Sequence, residues 1–328
     1  MMRKVGIRVE KWPLHEPFVI SRMAPQLNGE VVVVEVEENG LLGRGECERM
    51  DVFEEDYPDV LAMVQSVKEA LEDGVSREAL QTLLPSGAAR NAVDCALFEL
   101  EAKLAGVSAW QLAGQSDVPQ PVTTVFTLSL GTPEAMAQAA SRNQHLPILK
   151  LKLGSEGDIE RVRAVRSAAP TPRLVIDANT RWSFSQLKQY LPELKALGVE
   201  MVEQPLSPDE EHLLEGFEPP IPIVADESCI DRNSLPILRK RYQGINIKLD
   251  KTGGMTEALA LLKEAKAENF EVMVGCMLGT SLAMAPALLL AQEARWVDID
   301  GPLLLSEDRT PSLAYHDGEV TPIEGVWG

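Results

Sequence analysis

Two lysines stand in the middle of an apolar run, ILKLKLG, at residues 148–154. Lys150 and Lys152 alternate with apolar residues, and on a β-strand residues two apart point to the same face. Lysine is rarely buried without a partner, so two ammonium groups on one buried face require anions nearby. A neutral lysine is also a base, and the run is therefore a candidate for proton-transfer chemistry.

Carboxylates end three consecutive apolar runs further along the chain: Asp177 in RLVIDAN, Glu203 in VEMVEQP and Asp226 in IPIVADES. Any one of them alone is compatible with an exposed strand end or a salt bridge. Converging carboxylates repel one another, however, and a hard divalent cation removes the repulsion. Oxygen ligands with open positions suit Mg²⁺, whereas zinc more usually recruits His or Cys. The pattern predicts a Mg²⁺ site formed by these three residues.

The region from 119 to 303 contains eight short apolar runs that alternate with helical segments. Strands alternating with helices predict βαβ units, and eight such units are what a β/α barrel requires. The alternative is an open doubly wound sheet, which normally has a glycine-rich phosphate loop after its first strand. Here LSLGTPEAM follows the first run, so we predict an α/β fold with a (β/α)7β TIM-like barrel. The runs lie at 123–130, 148–153, 173–179, 199–205, 221–228, 245–250, 271–277 and 296–300.

Residues 1 to 118 predict a separate α+β domain. VGIRVEKWPL is typical of a strand, and GEVVVVEVEENGLLGRGEC of a hairpin that turns at Asn39 and Gly40. One helix is predicted from Tyr57 to Leu71. A second is predicted through GAARNAVDCALFELEAKLAG, with Gly106 as its stop.

Active-site residues of a β/α barrel come from the C-terminal ends of the strands. Strands two and six are opposite each other in a closed ring of eight, so Lys152 and Lys248 should face each other across the metal. Lys150 beside Lys152 adds a positive charge, which predicts a lowered pKa for the base. On this prediction, strand two carries Lys150 and Lys152, strand six carries Lys248 and Asp250, and strand eight carries Asp298 and Asp300.

The composition excludes several classes of partner. A formal net charge of −19 argues against nucleic acid and against anionic membrane surfaces. The longest apolar stretch, residues 276–291, is interrupted by Gly279 and Pro286 and is too short to span a bilayer. Four scattered cysteines without a CxxC pair, and no secretory signal pattern, predict a cytoplasmic protein with reduced thiols. A homo-oligomer is compatible with the sequence.

The motifs KLKLG, VIDAN, VEQP, ADES and IKLDKTGG, in this order, resemble the enolase superfamily, muconate-lactonising subgroup. The resemblance extends over nearly the whole chain, and GAARNAVDCALFEL is similar to part of that family's capping domain. It implies a capping domain at 1–118, completed by the C-terminal segment 304–328, and a barrel at 119–303. It also implies one Mg²⁺ per subunit.

Within this subgroup the chain most resembles dipeptide epimerases of the L-Ala-D/L-Glu type. DIDGP resembles the aspartate pair around the substrate ammonium, which implies that role for Asp298 and Asp300. FVISR resembles a mobile capping loop, with Arg22 where an arginine meets the substrate's side-chain carboxylate. Thr127 in FTLSLGTP matches a substrate-contacting threonine. The resemblance further implies proton transfer by Lys152 and Lys248 on opposite faces, an enediolate stabilised by Mg²⁺ and Lys150, and a task in murein-peptide recycling.

Four alternatives remain: a dipeptide epimerase for hydrophobic or cationic dipeptides, an o-succinylbenzoate synthase, an N-acylamino-acid racemase, and a non-catalytic barrel that binds a metal or a peptide. Arg22 favours an acidic dipeptide. Asp298 and Asp300 argue against substrates that lack an ammonium group. The presence of both Lys152 and Lys248 favours an enzyme over a binding barrel.

Overall fold

The computed structural model describes residues 3–21, 23–50 and 55–328. The chain opens with a three-stranded antiparallel sheet formed in chain order by β1 (Lys4–Phe18), β2 (Gln26–Glu38) and β3 (Leu41–Cys47). Asn39 and Gly40 have φ angles of 54° and 80°, and a type I′ hairpin turn requires positive φ at both central residues. The predicted hairpin is therefore confirmed.

Helices pack against this sheet, and the longest of them ends at Gly106 with φ 67°, as predicted. The helix predicted from 57 to 71 is instead two helices that meet at Val67. Val60, Val64, Val67 and Leu71 are all buried, so the apolar spacing continues through the break and does not mark it. The helices are α1 (Tyr57–Ser66), α2 (Lys68–Glu72), α3 (Arg77–Leu83), α4 (Ala88–Ala105) and α5 (Ala109–Leu112).

The rest of the chain alternates between strands and helices. After β4 (Val122–Thr123), the parallel strands are β5 (Phe126–Leu128), β6 (Ile148–Lys152), β7 (Arg173–Asp177), β8 (Val199–Glu203), β9 (Ile223–Ala225), β10 (Gly244–Ile247), β11 (Glu271–Val274) and β12 (Trp296–Val297). The helices among and after them are α6 (Pro133–Arg142), α7 (Asp158–Ala168), α8 (Phe184–Ala196), α9 (Leu235–Leu238), α10 (Leu249–Thr252), α11 (Met255–Ala267), α12 (Ser281–Ala291) and α13 (Gly301–Leu304), with 3₁₀ turns at Glu211–Leu214 and Arg232–Ser234.

The eight parallel strands are neighbours in chain order from β5 to β12. The two ends of this curled sheet meet, because the Val125 amide just before β5 donates to the Val297 carbonyl of β12 at 2.9 Å. The predicted (β/α)7β TIM-like fold with an N-terminal α+β domain is thereby confirmed.

A layer of apolar side chains fills the inside of the barrel below the polar residues. Ile148 of β6 belongs to this layer, whereas Leu149 and Leu151 belong to the core between the strands and the outer helices. Because side chains alternate along a strand, Lys150 and Lys152 point inward with Ile148. The layer consists of Val125, Ile148, Val175, Met201, Val224, Met273 and Trp296.

Asp250 is an exception to the prediction that strand six carries it beside Lys248. Strand β10 ends at Ile247, and Asp250 lies in α10. Its Oδ1 accepts hydrogen bonds from Asn91 Nδ2 at 3.0 Å and from the Glu48 amide at 3.2 Å, both in the N-terminal domain. The period-two alternation stops where the helix starts, and Asp250 is thereby turned away from the barrel axis.

The C-terminal residues contact both parts of the molecule. Strands β13 (Ala314–His316) and β14 (Glu319–Thr321) form a small antiparallel sheet with β4. Trp327 stacks on Phe98 with ring centroids 5.8 Å apart, and its indole N–H donates to the Arg44 carbonyl. Among the described residues, no helix has both the length and the apolar character needed to cross a membrane.

Candidate active site

Three carboxylates from neighbouring strands meet inside the barrel. Asp177 and Glu203 are the last residues of β7 and β8, and Asp226 directly follows β9. One oxygen of each lies within 4.8 Å of the others, and all three side chains are buried. The structure thus brings together the three residues that the sequence predicts as metal ligands.

The electrostatics of these carboxylates fit a bound cation. Burial and the neighbouring Asp177 raise the pKa of Glu203 to about 7. Burial also opposes charge on Asp177, but Lys152 and Lys150 outweigh it and hold the pKa of Asp177 at about 2. Glu203 Oε2 is buried without a hydrogen-bond partner, although Lys150 Nζ lies 2.6 Å away. Three buried carboxylates that converge in this way suit a hard divalent cation such as Mg²⁺.

Lys152 and Lys248 each pair with a different one of these carboxylates. Lys152 Nζ lies 2.6 Å from Asp177 Oδ2, and Lys248 Nζ lies 2.8 Å from Asp226 Oδ2. Lys152 ends β6 and Lys248 follows β10, four strands further round the eight-stranded sheet. The two amines therefore approach the carboxylates from opposite sides of the barrel.

Lys150 lies deeper, with 1% of its side chain exposed. Its Nζ is 2.5 Å from Asp298 Oδ2, 2.6 Å from Glu203 Oε2 and 3.5 Å from Asp177 Oδ2. Burial disfavours its charge, but these carboxylates outweigh burial and raise the pKa of Lys150 well above its ordinary value. Burial likewise opposes charge on Lys248, and Asp226 outweighs it so that the pKa of Lys248 is raised. Carboxylates in direct contact therefore hold both of these lysines in the charged form.

Asp298 and Asp300 follow β12 on the inner side of the barrel. The Thr127 amide donates to Asp300 Oδ2 at 2.7 Å, which joins the first strand to the pair. Burial and the neighbouring Asp298 raise the pKa of Asp300 to about 7. A further cationic group beside the two carboxylates is favoured, because it relieves this repulsion.

A cavity of about 680 Å³, counted with its open mouth, lies above these residues. Its walls come from both domains. Phe18 of β1 stands over Lys152, with Nζ 6.0 Å from the ring centroid. Arg22, the predicted partner of a substrate carboxylate, lies outside the described residues. The lining consists of Phe18, Ile20, Met23, Gln26, Glu48, Arg49, Thr127, Lys152, Asn179, Lys248, Cys276, Met277, Leu278, Asp298, Asp300, Gly301 and Leu304.

Three residues around the carboxylates were not assigned from the sequence. Lys251 Nζ lies 2.7 Å from Asp226 Oδ1, Asn246 Nδ2 donates to Glu203 Oε1 at 2.6 Å, and the Asp226 amide donates to Gln204 Oε1 at 2.8 Å. The sequence feature that could have indicated them is their position within or next to the motifs IKLDKTGG and VEQP. Spacing alone does not show that Lys251, three residues after Lys248, turns back towards Asp226.

Both parts of the chain match known protein families. Residues 134–326 match Enolase C-terminal domain-like, and residues 2–114 match Mandelate racemase / muconate lactonizing enzyme, N-terminal domain. The chain is 46% identical to L-Ala-D/L-Glu epimerase of Escherichia coli K12, over 97% of this chain and 99% of that protein. It is also 45% identical to N-acetyl-D-glutamate racemase of a Pseudoalteromonas species, over 75% of this chain and 78% of that protein.

Solved structures also superpose closely on this chain. A crystal structure of an enolase family member from Agrobacterium tumefaciens, with homology to dipeptide epimerases and with bound sodium and L-Ala-L-Glu, superposes with a TM-score of 0.97. It is 42% identical and covers 99% of this chain and 100% of that one. A dipeptide epimerase from Cytophaga hutchinsonii, complexed with Mg and D-Ala-L-Val, superposes with a TM-score of 0.90 at 27% identity, over 98% of this chain and 93% of that one.

Proposed function

Because the chain belongs to the mandelate racemase and muconate lactonizing enzyme family of the enolase superfamily, we propose that it is a Mg²⁺-dependent dipeptide epimerase. Its proposed substrate pair is L-Ala-D-Glu and L-Ala-L-Glu, and its proposed task is murein-peptide recycling. The observation that carries the proposal is the placing of Lys152 and Lys248 in one pocket, on opposite sides of a buried carboxylate triad.

Asp177, Glu203 and Asp226 are the proposed metal ligands. When bound, Mg²⁺ supplies positive charge that polarises the substrate carboxylate and neutralises the carboxylates that keep the lysines protonated. The support for this assignment is the convergence of the three buried oxygens and the pKa of Glu203, which burial and Asp177 raise to about 7.

Lys152 and Lys248 are the proposed proton-transfer groups. One of them, neutral, takes the α-proton from one face of the substrate, and the other, protonated, gives a proton to the opposite face. One proton leaves the α-carbon and one arrives, so the configuration inverts and the substrate has no net loss of a proton. Lys150 is proposed to offset the negative charge that develops on the substrate carboxylate, because its buried ammonium lies among the metal ligands.

The two charged ends of a dipeptide with an acidic side chain have proposed partners. Asp298 and Asp300 would hold the α-ammonium, supported by their shared burial and by the raised pKa of Asp300. Thr127, whose amide is fixed by Asp300, would contact the peptide beside them. Arg22 would meet the glutamate side-chain carboxylate.

A second candidate function is racemisation of an N-acylated amino acid, which the 45% identical N-acetyl-D-glutamate racemase favours. Such a substrate has no ammonium group, and Asp298 and Asp300 would then lack a cationic partner. Dipeptides with hydrophobic or cationic side chains are further substrates that the test must include.

The test is incorporation of deuterium at the α-carbon in heavy water, followed by mass spectrometry. The substrates are L-Ala-D-Glu, L-Ala-L-Glu, a hydrophobic dipeptide, a cationic dipeptide and N-acetyl-D-glutamate. We expect fastest exchange with the two Ala-Glu epimers, and none after EDTA until Mg²⁺ is restored. Preference for N-acetyl-D-glutamate would establish the racemase instead, and absence of exchange with every substrate would refute both enzymes.

Three further assignments belong to the proposal. We infer a capping domain at 1–118 completed by 304–328, and a barrel at 119–303. Its support is the contact of Trp327 with Phe98 and Arg44. A cytoplasmic location is supported by four free cysteines. A dipeptide is the proposed small-molecule partner, and a homo-oligomer remains a prediction.

A further inference from the structure

Asn246 is a buried amide that touches the metal-ligand set from outside the pocket. It lies on β10, its side chain is fully buried, and it is not among the residues that line the cavity. Its Nδ2 donates to Glu203 Oε1 at 2.6 Å. Because a carboxylate can only accept, this contact fixes which end of the amide faces Glu203.

The contact leaves the two oxygens of Glu203 in different states. Oε1 is held by Asn246, whereas Oε2 has no hydrogen bond of suitable geometry and is 2.6 Å from the Lys150 ammonium. A carboxylate held by one oxygen presents the other in a fixed direction. Oε2 is therefore the oxygen of Glu203 that faces cationic groups.

Asn246 is itself held in place. Its backbone carbonyl accepts from Lys251 Nζ at 2.9 Å, and the same ammonium lies 2.7 Å from Asp226 Oδ1. Asn246 thus contacts Glu203 directly and is linked to Asp226 through Lys251, on the side away from the cavity.

Gly275 leaves the space that the Asn246 side chain occupies. It directly follows β11, and a Cβ atom at this position would lie 2.6 Å from Asn246 Oδ1 and 2.7 Å from Nδ2. Contacts this short force a shift, since both groups are enclosed. Any side chain at 275 therefore pushes the amide, although it removes no polar group.

We propose that Asn246 is a positioning residue that aims Glu203 Oε2 at the metal, and that glycine at position 275 is required for this arrangement. The proposal rests on the metal assignment within the proposed function. It does not depend on which substrate the enzyme uses.

The experiment measures Mg²⁺ affinity of the full chain, stripped with EDTA and titrated with MgCl₂ by calorimetry in the absence of any dipeptide. Substitution of a residue that orients a metal ligand typically weakens metal affinity about 10–100-fold. We expect that change for Asn246→Leu and for Gly275→Ala. The matched control is Asn91→Leu, which removes another buried asparagine side chain that donates to a carboxylate, that of Asp250, and should leave the Mg²⁺ Kd unchanged.

The outcomes separate the two levels of inference. Failure of the unmodified chain to bind Mg²⁺ refutes the metal assignment, and the positioning role falls with it. Tight binding by the unmodified chain and equal binding by folded Asn246→Leu refutes the positioning role alone. Circular dichroism reports folding, and if Asn246→Leu does not fold, Gly275→Ala decides: an unchanged Kd overturns the proposal, and a 10–100-fold loss supports it.

Discussion

Replacing Lys152 or Lys248 with alanine removes one proposed proton-transfer group and leaves the other in place. Their amines contact different carboxylates, Asp177 at 2.6 Å and Asp226 at 2.8 Å, from strands on opposite sides of the barrel. One amine therefore cannot substitute for the other. Each carboxylate also keeps a second lysine, since Lys150 lies 3.5 Å from Asp177 and Lys251 lies 2.7 Å from Asp226, so we expect both variants to fold.

The expected loss of epimerisation rate follows from the rate enhancement that a positioned base provides. General acid–base groups contribute about 10²–10⁴-fold, which corresponds to roughly 3–5 kcal/mol of activation free energy. Net epimerisation should fall by that factor in both directions, because inversion needs a proton taken from one face and given to the other. The remaining lysine should still exchange the α-proton on its own face.

The assay is α-deuterium incorporation in heavy water, started separately from L-Ala-D-Glu and L-Ala-L-Glu. We expect Lys152→Ala to exchange one epimer while product formation is lowered by that factor, and Lys248→Ala to exchange only the other. The control is Lys240→Ala, at an exposed lysine that does not line the cavity, and it should behave like the unmodified chain. Substantial net epimerisation by either single variant, or exchange of both epimers by one of them, would contradict the two-base arrangement.

Four other outcomes are expected. Glu203→Gln should abolish turnover and weaken Mg²⁺ binding in calorimetry, since it removes one of three buried ligands. N-acetyl-L-Ala-D-Glu should turn over on the order of 10²–10⁴-fold more slowly than the free dipeptide, because breaking a buried charged pair costs about 3–5 kcal/mol; equal rates would exclude Asp298 and Asp300 as the ammonium partners. Arg22→Met should shift kcat/KM from acidic towards apolar dipeptides. Burial raises the pKa of Asp250 from 3.8 to about 7, so the folded state binds this proton more tightly than the unfolded state. Stability therefore falls as pH rises from about 4 to about 7, and Asp250→Asn should flatten the change of Tm over that interval.

Much of the candidate site can be predicted from short stretches of consecutive residues. The alternation of Lys150 and Lys152 with apolar residues requires that both share a face, and the apolar layer that contains Ile148 identifies this face as the barrel interior. Parallel strands present their carboxyl ends at one edge, so Asp177, Glu203 and Asp226 had to converge once the eight runs became strands. The alternation of side chains along a strand depends only on consecutive residues, so it can be predicted from the sequence alone.

The structure differs from the sequence-based prediction at two places, and the physical reason is the same at both. The break at Val67 leaves the helical spacing of buried residues intact, and the start of α10 directly after Lys248 carries Asp250 away from the barrel. In both places the backbone changes conformation while the residue pattern continues. Tertiary packing selects the backbone conformation at these places, because the residue pattern is compatible with more than one local conformation.

Only the tertiary structure decided which charges meet. Lys251 and Asp226 are 25 residues apart in the chain, and Asn246 and Glu203 are 43 apart. They come together because the sheet curls, which turns the inner faces of β8 and β10 towards each other across β9, and because α10 starts directly after β10. The same contacts decide the charge balance, since carboxylates at 2.5–2.8 Å from Lys150 and Lys248 outweigh the cost of burying their charge. Electrostatic energy depends on distance and on burial, and both are set by how the strands close into the barrel, not by spacing along the chain.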